Sequence, residues 1–270
     1  MNPFLRLPPE RRRDELGAYL TFLRGRDGEI DGTTLVNRRR DATTVSWRGP
    51  LDRESFHRNL HRLRDEEVSP RVLWLLAVAK LNRAEKYGVD LSLARARRRT
   101  LSEIRHYIEL EELVHTRALL DACALFGLQV EIILPPPLHR AVIWMMTRLP
   151  DPLALPLILC GEVAGAVGVA MMREQIPALF GDEPDVAARL NELLTEILVD
   201  ELGHVIFNRA MLGQVGLTAA RLALPFVVRS FLHDMPEVAR LAGGPRQFVE
   251  RVLQFQLGTE GLPSGLAFAA

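Results

Sequence analysis

Two stretches of this 270-residue chain place a glutamate and a histidine three residues apart, inside runs that otherwise read as apolar helix: Glu112-Leu113-Val114-His115 and Glu201-Leu202-Gly203-His204. At that spacing both side chains lie on one side of a helix and can reach a single metal ion. Two such pairs, joined by one glutamate from each of two further helices, make a carboxylate-bridged dinuclear metal site. Glu85 and Glu162 are the candidates for those further ligands. Ionised groups enter a core only when something compensates them, and a pair of cations does so. Four carboxylates balance two divalent ions, and mixed carboxylate and imidazole ligands suit iron or manganese.

Spacing alone is weak evidence. Chance supplies roughly half a Glu-x-x-His in a chain of this kind, and two more occur here, Glu54-Ser55-Phe56-His57 and Glu103-Ile104-Arg105-His106. The helical face decides between them. At about 100° per residue, Leu101, Ile104, Ile108, His115, Leu119, Ala122 and Phe126 all fall within about 80° of Glu112. Leu190, Leu193, Leu194, Ile197, His204, Val205, Met211 and Leu212 share the face of Glu201 in the same way. Glu103 lies on the opposite side and is assigned to a capping box, Thr100-Leu101-Ser102-Glu103. Over 51–67, Phe56, Leu60 and Leu63 point inward and Glu54 points away. His57 and His61 then sit on a solvated face.

Helix geometry gives an independent check. Residues at one level of an antiparallel pair are equidistant from the turn. Glu162 and Glu201 centre on about residue 181, where Phe180-Gly181-Asp182-Glu183-Pro184 is a strong turn signal. Glu85 and Glu112 centre on about residue 98, just before the capping box. Metal-bound imidazole donates its second N–H to a carboxylate. Asp200 is therefore assigned to His115 and Glu111 to His204, each across to the other helix, and Asn208 lies on the metal side of its helix. Gly165 and Ala166 stand one turn beyond Glu162. With Leu119 and Ile197 they are expected to line an apolar substrate pocket.

Those residues need helices to hold them. The pattern predicts four long ones, over about 69–96, 100–128, 139/151–179 and 185–213, within a bundle spanning residues 68–214. Residues 1–67 read as a polar, Arg-rich lead-in with helices to about Leu23 and over 51–67. Residues 215–270 read as C-terminal helices over about 217–233, with Pro225 kinking or breaking the first, and 245–256, all in one domain. Strand signals are nearly absent, so the fold class is all-α. Pro135-Pro136-Pro137 breaks the chain after the second bundle helix.

Composition narrows the function. Formal net charge is zero and hydrophobic residues are 48% of the chain, which gives no overall attraction to nucleic acid. Two cysteines, Cys123 and Cys160, exclude a cysteine-rich metal domain. Leu153 to Met172 is long enough to span a membrane, but its Pro156 and Glu162 fit a buried metal-facing helix better. The N-terminus lacks an apolar signal core. A cytoplasmic location without membrane association is expected, and a homodimer is an allowed assembly.

The pattern resembles the ferritin-like di-iron carboxylate superfamily over about residues 69–213. Within it, Asn82 to Glu85, Glu112-Leu-Val-His115-Thr116, Gly161-Glu162-Val163-Ala164 and Asp200-Glu201-Leu-Gly-His204 are most similar to bacterial di-iron oxygenases of the arylamine N-oxygenase type. Those enzymes carry a further His one turn before the last Glu. Ile197 stands there in this chain, which implies a site with two His only. Leu119 stands where ribonucleotide reductase small subunits carry a radical Tyr. The resemblance implies a ferritin-like four-helix bundle with added N- and C-terminal helices and a site of two iron ions, or manganese, on Glu85, Glu112, His115, Glu162, Glu201 and His204. It implies a dioxygen-activating oxygenase or oxidase of a small or medium apolar organic substrate, with electrons from a separate donor protein. The competing expectations are a helical protein with a structural or degenerate metal site, and a simple ferroxidase.

Overall fold

The computed structural model of the chain describes residues 1–28, 45–64, 67–96, 102–131 and 137–258, with 262, 266 and 268 in the tail. All regular structure among these residues is helical, in ten helices: α1 (Pro9–Asp27), α2 (Arg53–Asn59), α3 (Pro70–Ala96), α4 (Glu103–Ala124), α5 (Pro137–Met146), α6 (Asp151–Phe180), α7 (Pro184–Met211), α8 (Gln214–Asp234), α9 (Pro236–Leu241) and α10 (Pro245–Gln254). The four long helices α3, α4, α7 and α6 close a ring in which each packs on the next and α6 packs back on α3.

Within each half the helices run antiparallel. Asn82 donates to the Thr116 carbonyl at 2.5 Å, Glu85 meets His115, and Gly88 faces Glu112, so numbers fall on one helix as they rise on the other. Asn208 to Glu162, Gly165 to Glu201 and Arg173 to Asn191 do the same for α6 and α7. The turn between α6 and α7 falls at Gly181–Glu183, as the sequence places it. Pro184 starts α7, where its missing N–H costs nothing.

Several boundaries differ from expectation. Ser102, not Thr100, caps α4, its hydroxyl accepting from the Arg105 N–H. Thr100 and Leu101, like the arginine runs 38–40 and 97–99, lie outside the described residues. Helix α2 ends at Asn59, whose side chain bonds the Ser55 carbonyl and the Arg64 N–H and so turns the chain away. Pro225 sits inside α8 without ending it. The short α9 carries a feature the periodicity did not show: Glu237, fully buried, accepts from the buried ammonium of Lys80 on α3.

The N-terminal segment is no loose lead-in. Helix α1 buries Glu15, Tyr19, Leu23 and Asp27, four apart and hence on one stripe, against α7 and α4. The tail closes over it, with Phe268 on the rings of Tyr19 and Phe22 and Leu257 N–H bonded to the Met1 carbonyl at 2.7 Å. One continuous apolar cluster runs from Tyr19 through all four long helices to Phe268. Two helices, α6 and α8, are long and apolar enough to cross a membrane by length and composition. Of the two, α6 lies mostly buried in the bundle, while α8 is largely exposed.

Candidate metal centre

The two apolar stripes bring six expected side chains to one place midway along the ring. His115 Nδ1 lies 3.3 Å from Glu85 Oε2 and 3.5 Å from Glu201 Oε1. His204 Nδ1 lies 3.5 Å from both Glu112 Oε1 and Glu162 Oε2. The imidazole centroids are 5.6 Å apart. Glu85, Glu112 and His115 offer ligand atoms all within 4.8 Å of one another, as do Glu112, Glu162 and His204, so Glu112 is common to both groups. The arrangement is two-fold: α3 and α6 each give one Glu, α4 and α7 each give a Glu and a His. Glu54, His57, Glu103 and His106 stay outside it; Glu103 instead pairs with Arg24 at the surface.

The outer nitrogens settle which imidazole atoms face inward. His115 Nε2 is 3.1 Å from Asp200 Oδ2, and His204 Nε2 is 3.0 Å from Glu111 Oε2. A carboxylate only accepts, so each Nε2 carries a proton, and each Nδ1 is the nitrogen that faces the centre, where its lone pair would serve a metal. Asn208 donates to the His204 carbonyl at 3.0 Å and to Glu162 Oε1 at 3.4 Å.

Sequence reasoning missed the next layer, which comes from α1. Arg26 donates to Asp200 Oδ1 at 2.5 Å and to Glu111 Oε1, and it also binds Asp27 at 2.9 Å. One guanidinium therefore ties together the two acids that hold the two imidazoles. The Tyr19 hydroxyl donates to Glu111 Oε2 at 3.2 Å. Gly203, inside the second Glu-x-x-His, is what lets α1 approach: a Cβ there would lie 2.4 Å from the Tyr19 ring. The signal that could have found α1 is the four-residue spacing of Glu15, Tyr19, Leu23 and Asp27.

The centre is strongly acidic and largely buried. Glu112 and Glu201 are held well above the usual carboxylate range, first by burial and then by their acidic neighbours Glu85 and Glu162. Burial opposes a charge on the histidines, yet nearby Asp200 and Glu85 raise His115, and nearby Glu111 and Glu162 raise His204. Tyr19 is pushed well up by burial and by Glu111, so it stays a phenol. Burial works against Arg26 too, but Asp200 and Glu111 raise it further.

A metal fits these residues on two observations. His204 Nδ1 is buried with no hydrogen-bond partner while it faces two carboxylates. Such an orphan atom is costly unless something is bound to it. In addition, four carboxylates converge where the protein supplies no Lys or Arg inside the ring among the described residues, and cations relieve their repulsion.

The small-residue face of α6 is not the opening that its composition suggests. Leu119, Ala166 and Ile197, expected to line a pocket, are fully buried in the core. A Cβ on Gly165 would touch Glu201 Oε2 at 3.1 Å. The cleft that reaches the centre lies at its other end, bounded by Gly88, Ile108, Leu155 and Phe207, with Glu112, Glu162 and Asn208 in its lining. A Cβ on Gly88 would fall 2.7 Å from Glu112 Oε2, so a larger residue there would displace that carboxylate.

Compared with known proteins, the chain matches no family model, no curated protein and no solved structure.

Proposed function

We propose that the chain is a dinuclear iron protein of the ferritin-like, carboxylate-bridged class, and that it uses dioxygen to oxidise a small or medium apolar organic molecule. One observation carries the reading: two inward-facing histidine Nδ1 atoms meet carboxylates from all four helices, while both Nε2–H groups are tied to acids outside. That is the ligand arrangement of di-iron carboxylate bundles, with Glu85, Glu112, His115, Glu162, Glu201 and His204 as the ligands. When bound, such a pair of ions supplies the activation of dioxygen, with electrons delivered by a separate reductase or ferredoxin-type protein.

The chain's own residues have definable tasks in this scheme. Asp200 and Glu111 fix the orientation of the imidazoles and raise their basicity. Arg26 holds those two acids in register and offsets their charge. The apolar walls of the cleft keep bulk water from the centre, and Asn208 positions Glu162, the most exposed of the six ligands.

A degenerate or structural site would leave Glu85 exposed, the small-residue face of α6 packed shut and the two histidines pointing apart. That face is closed at Gly165, but Glu85 is buried and both Nδ1 atoms face the same centre. A simple ferroxidase has no use for an apolar cleft at its ligands, which favours an organic substrate. Anaerobic loading with ferrous iron tests the reading. About two irons per chain, lost in Glu112→Gln, with dioxygen consumed on addition of a chemical reductant, is the expected result. Uptake that is unaffected by Glu112→Gln, or no uptake at all, would overturn it.

A further inference from the structure

The cleft reaching the centre is narrow, a cavity of about 80 Å³ whose outer end opens to solvent. Glu112, Glu162 and Asn208 mark its inner end, and Ile108, Leu155, Ile158 and Phe207 contribute apolar walls. Two further polar groups line it, Arg105 and Glu109. Arg105 stands seven residues before Glu112 on α4, about 10 Å away along the helix axis at ~1.5 Å per residue. It is therefore the mouth residue when Glu112 is the floor.

Arg105 is half-buried and only loosely engaged. Its side chain is 20% exposed, and among the described residues the nearest acid is Asp151 at 4.0 Å, the outer limit of an ion pair. Its guanidinium lies 5.7 Å from the centre of the Phe207 ring, which orients it over the apolar wall. A flat, permanently charged fork held over an apolar channel is suited to a carboxylate. Glu109, one turn on, competes weakly: burial pushes its carboxyl up to about 7 despite the opposing pull of Arg105. At neutral pH that residue is neither a full partner for Arg105 nor a good site for a ligand ammonium.

We propose that this cleft takes a carboxylic acid with a medium-length apolar body, its carboxylate on Arg105 at the mouth and its body along Ile108, Leu155 and Ile158 toward Glu112 and Glu162. The assignment of the buried end as the reacting end rests on the proposed function; the binding of the acid does not. Arg105 is thus a specificity-determining residue, which selects for the acid and sets how far its chain reaches inward.

The test is binding of octanoate, octan-1-ol and octylamine to the full chain as purified, followed by calorimetry at neutral pH. Octanoate should bind at one site, roughly tenfold or more tighter than octan-1-ol, the usual effect of one charged hydrogen-bonded pair. Arg105→Gln should erase that preference, and Arg105→Lys should keep a reduced one. Ile158→Trp, which fills the cleft wall, should abolish binding of both ligands without changing the melting temperature of the free protein. Equal affinity for acid and alcohol, a preference for octylamine, or octanoate binding indifferent to Arg105→Gln or Ile158→Trp would each overturn the proposal. Iron uptake measured on the same preparations separates the two claims. Normal uptake without octanoate binding refutes the cleft assignment alone. Arg105-dependent octanoate binding without iron uptake upholds the cleft and refutes the metal reading.

Discussion

Replacing Arg26 by Gln tests whether α1 belongs to the centre or only covers it. The guanidinium contacts Asp200, Glu111 and Asp27, and the first two carboxylates are fully buried. Removing one partner from a buried ion pair costs about 3–5 kcal/mol, because the other charge is left uncompensated. Arg26 itself is 24% exposed, so water replaces part of the interaction and a loss somewhat below that range, ~2–3 kcal/mol, is expected. In a chain of this size that is a fall of about 5–10 °C in melting temperature. Iron affinity should fall ~10–100-fold, since the acids that orient both imidazoles lose their anchor. Thermal unfolding of the metal-free protein and competitive iron titration measure the two effects. Arg26→Lys keeps the charge but loses the fork that spans both acids, so it should recover stability more than affinity. A melting temperature within about 1 °C of wild type together with unchanged iron affinity would refute the reasoning.

Two further outcomes follow from packing and titration. Gly203→Ala puts a methyl group 2.4 Å from the Tyr19 ring, so denaturant unfolding should show a loss of ~1–3 kcal/mol; in a Tyr19→Leu background the additional cost should shrink. Glu109 has a carboxyl raised to about 7, chiefly by burial. A carboxyl whose folded pKa exceeds its unfolded one favours folding in acid, and that contribution is lost as pH rises from about 4.5 through 7. Glu109→Gln should therefore match wild type near pH 4 and exceed it by ~1–2 kcal/mol at pH 8, discounted for water at the cleft mouth. A variant less stable than wild type at pH 8 would contradict the sign.

The sequence carried the inner part of this centre because helical periodicity reports which residues share a buried stripe. Glu112, His115, Glu201 and His204 each sat in the middle of an apolar face, and that is where the structure has them. The cross-helix bonds of Asp200 and Glu111 follow from one chemical rule about imidazole. What was not legible depends on contacts between segments far apart in sequence. Arg26 lies in a polar stretch, and nothing local says that it folds under α7 to reach Asp200, 174 positions away. The open side of the centre was misread for a related reason. Small residues on α6 mean either space or close approach, and at Gly165 the space is taken by Glu201. Gly88, the glycine that matters for the cleft, lies inside α3, where nothing local marks its contact with Glu112. Helix α9 and its Lys80–Glu237 pair escaped because six residues are too few to show a period.

Two metal ions are expected between His115 and His204. Diffraction from crystals grown after anaerobic loading with ferrous iron, recorded on both sides of the iron absorption edge, would locate them. Two anomalous peaks should appear about 3.5–4 Å apart, one beside His115 Nδ1 with Glu85 and Glu201, the other beside His204 Nδ1 with Glu162, and Glu112 within reach of both. Anomalous density elsewhere on the chain, or none at this centre while His115 and His204 keep their bonds to Asp200 and Glu111, would contradict that placement.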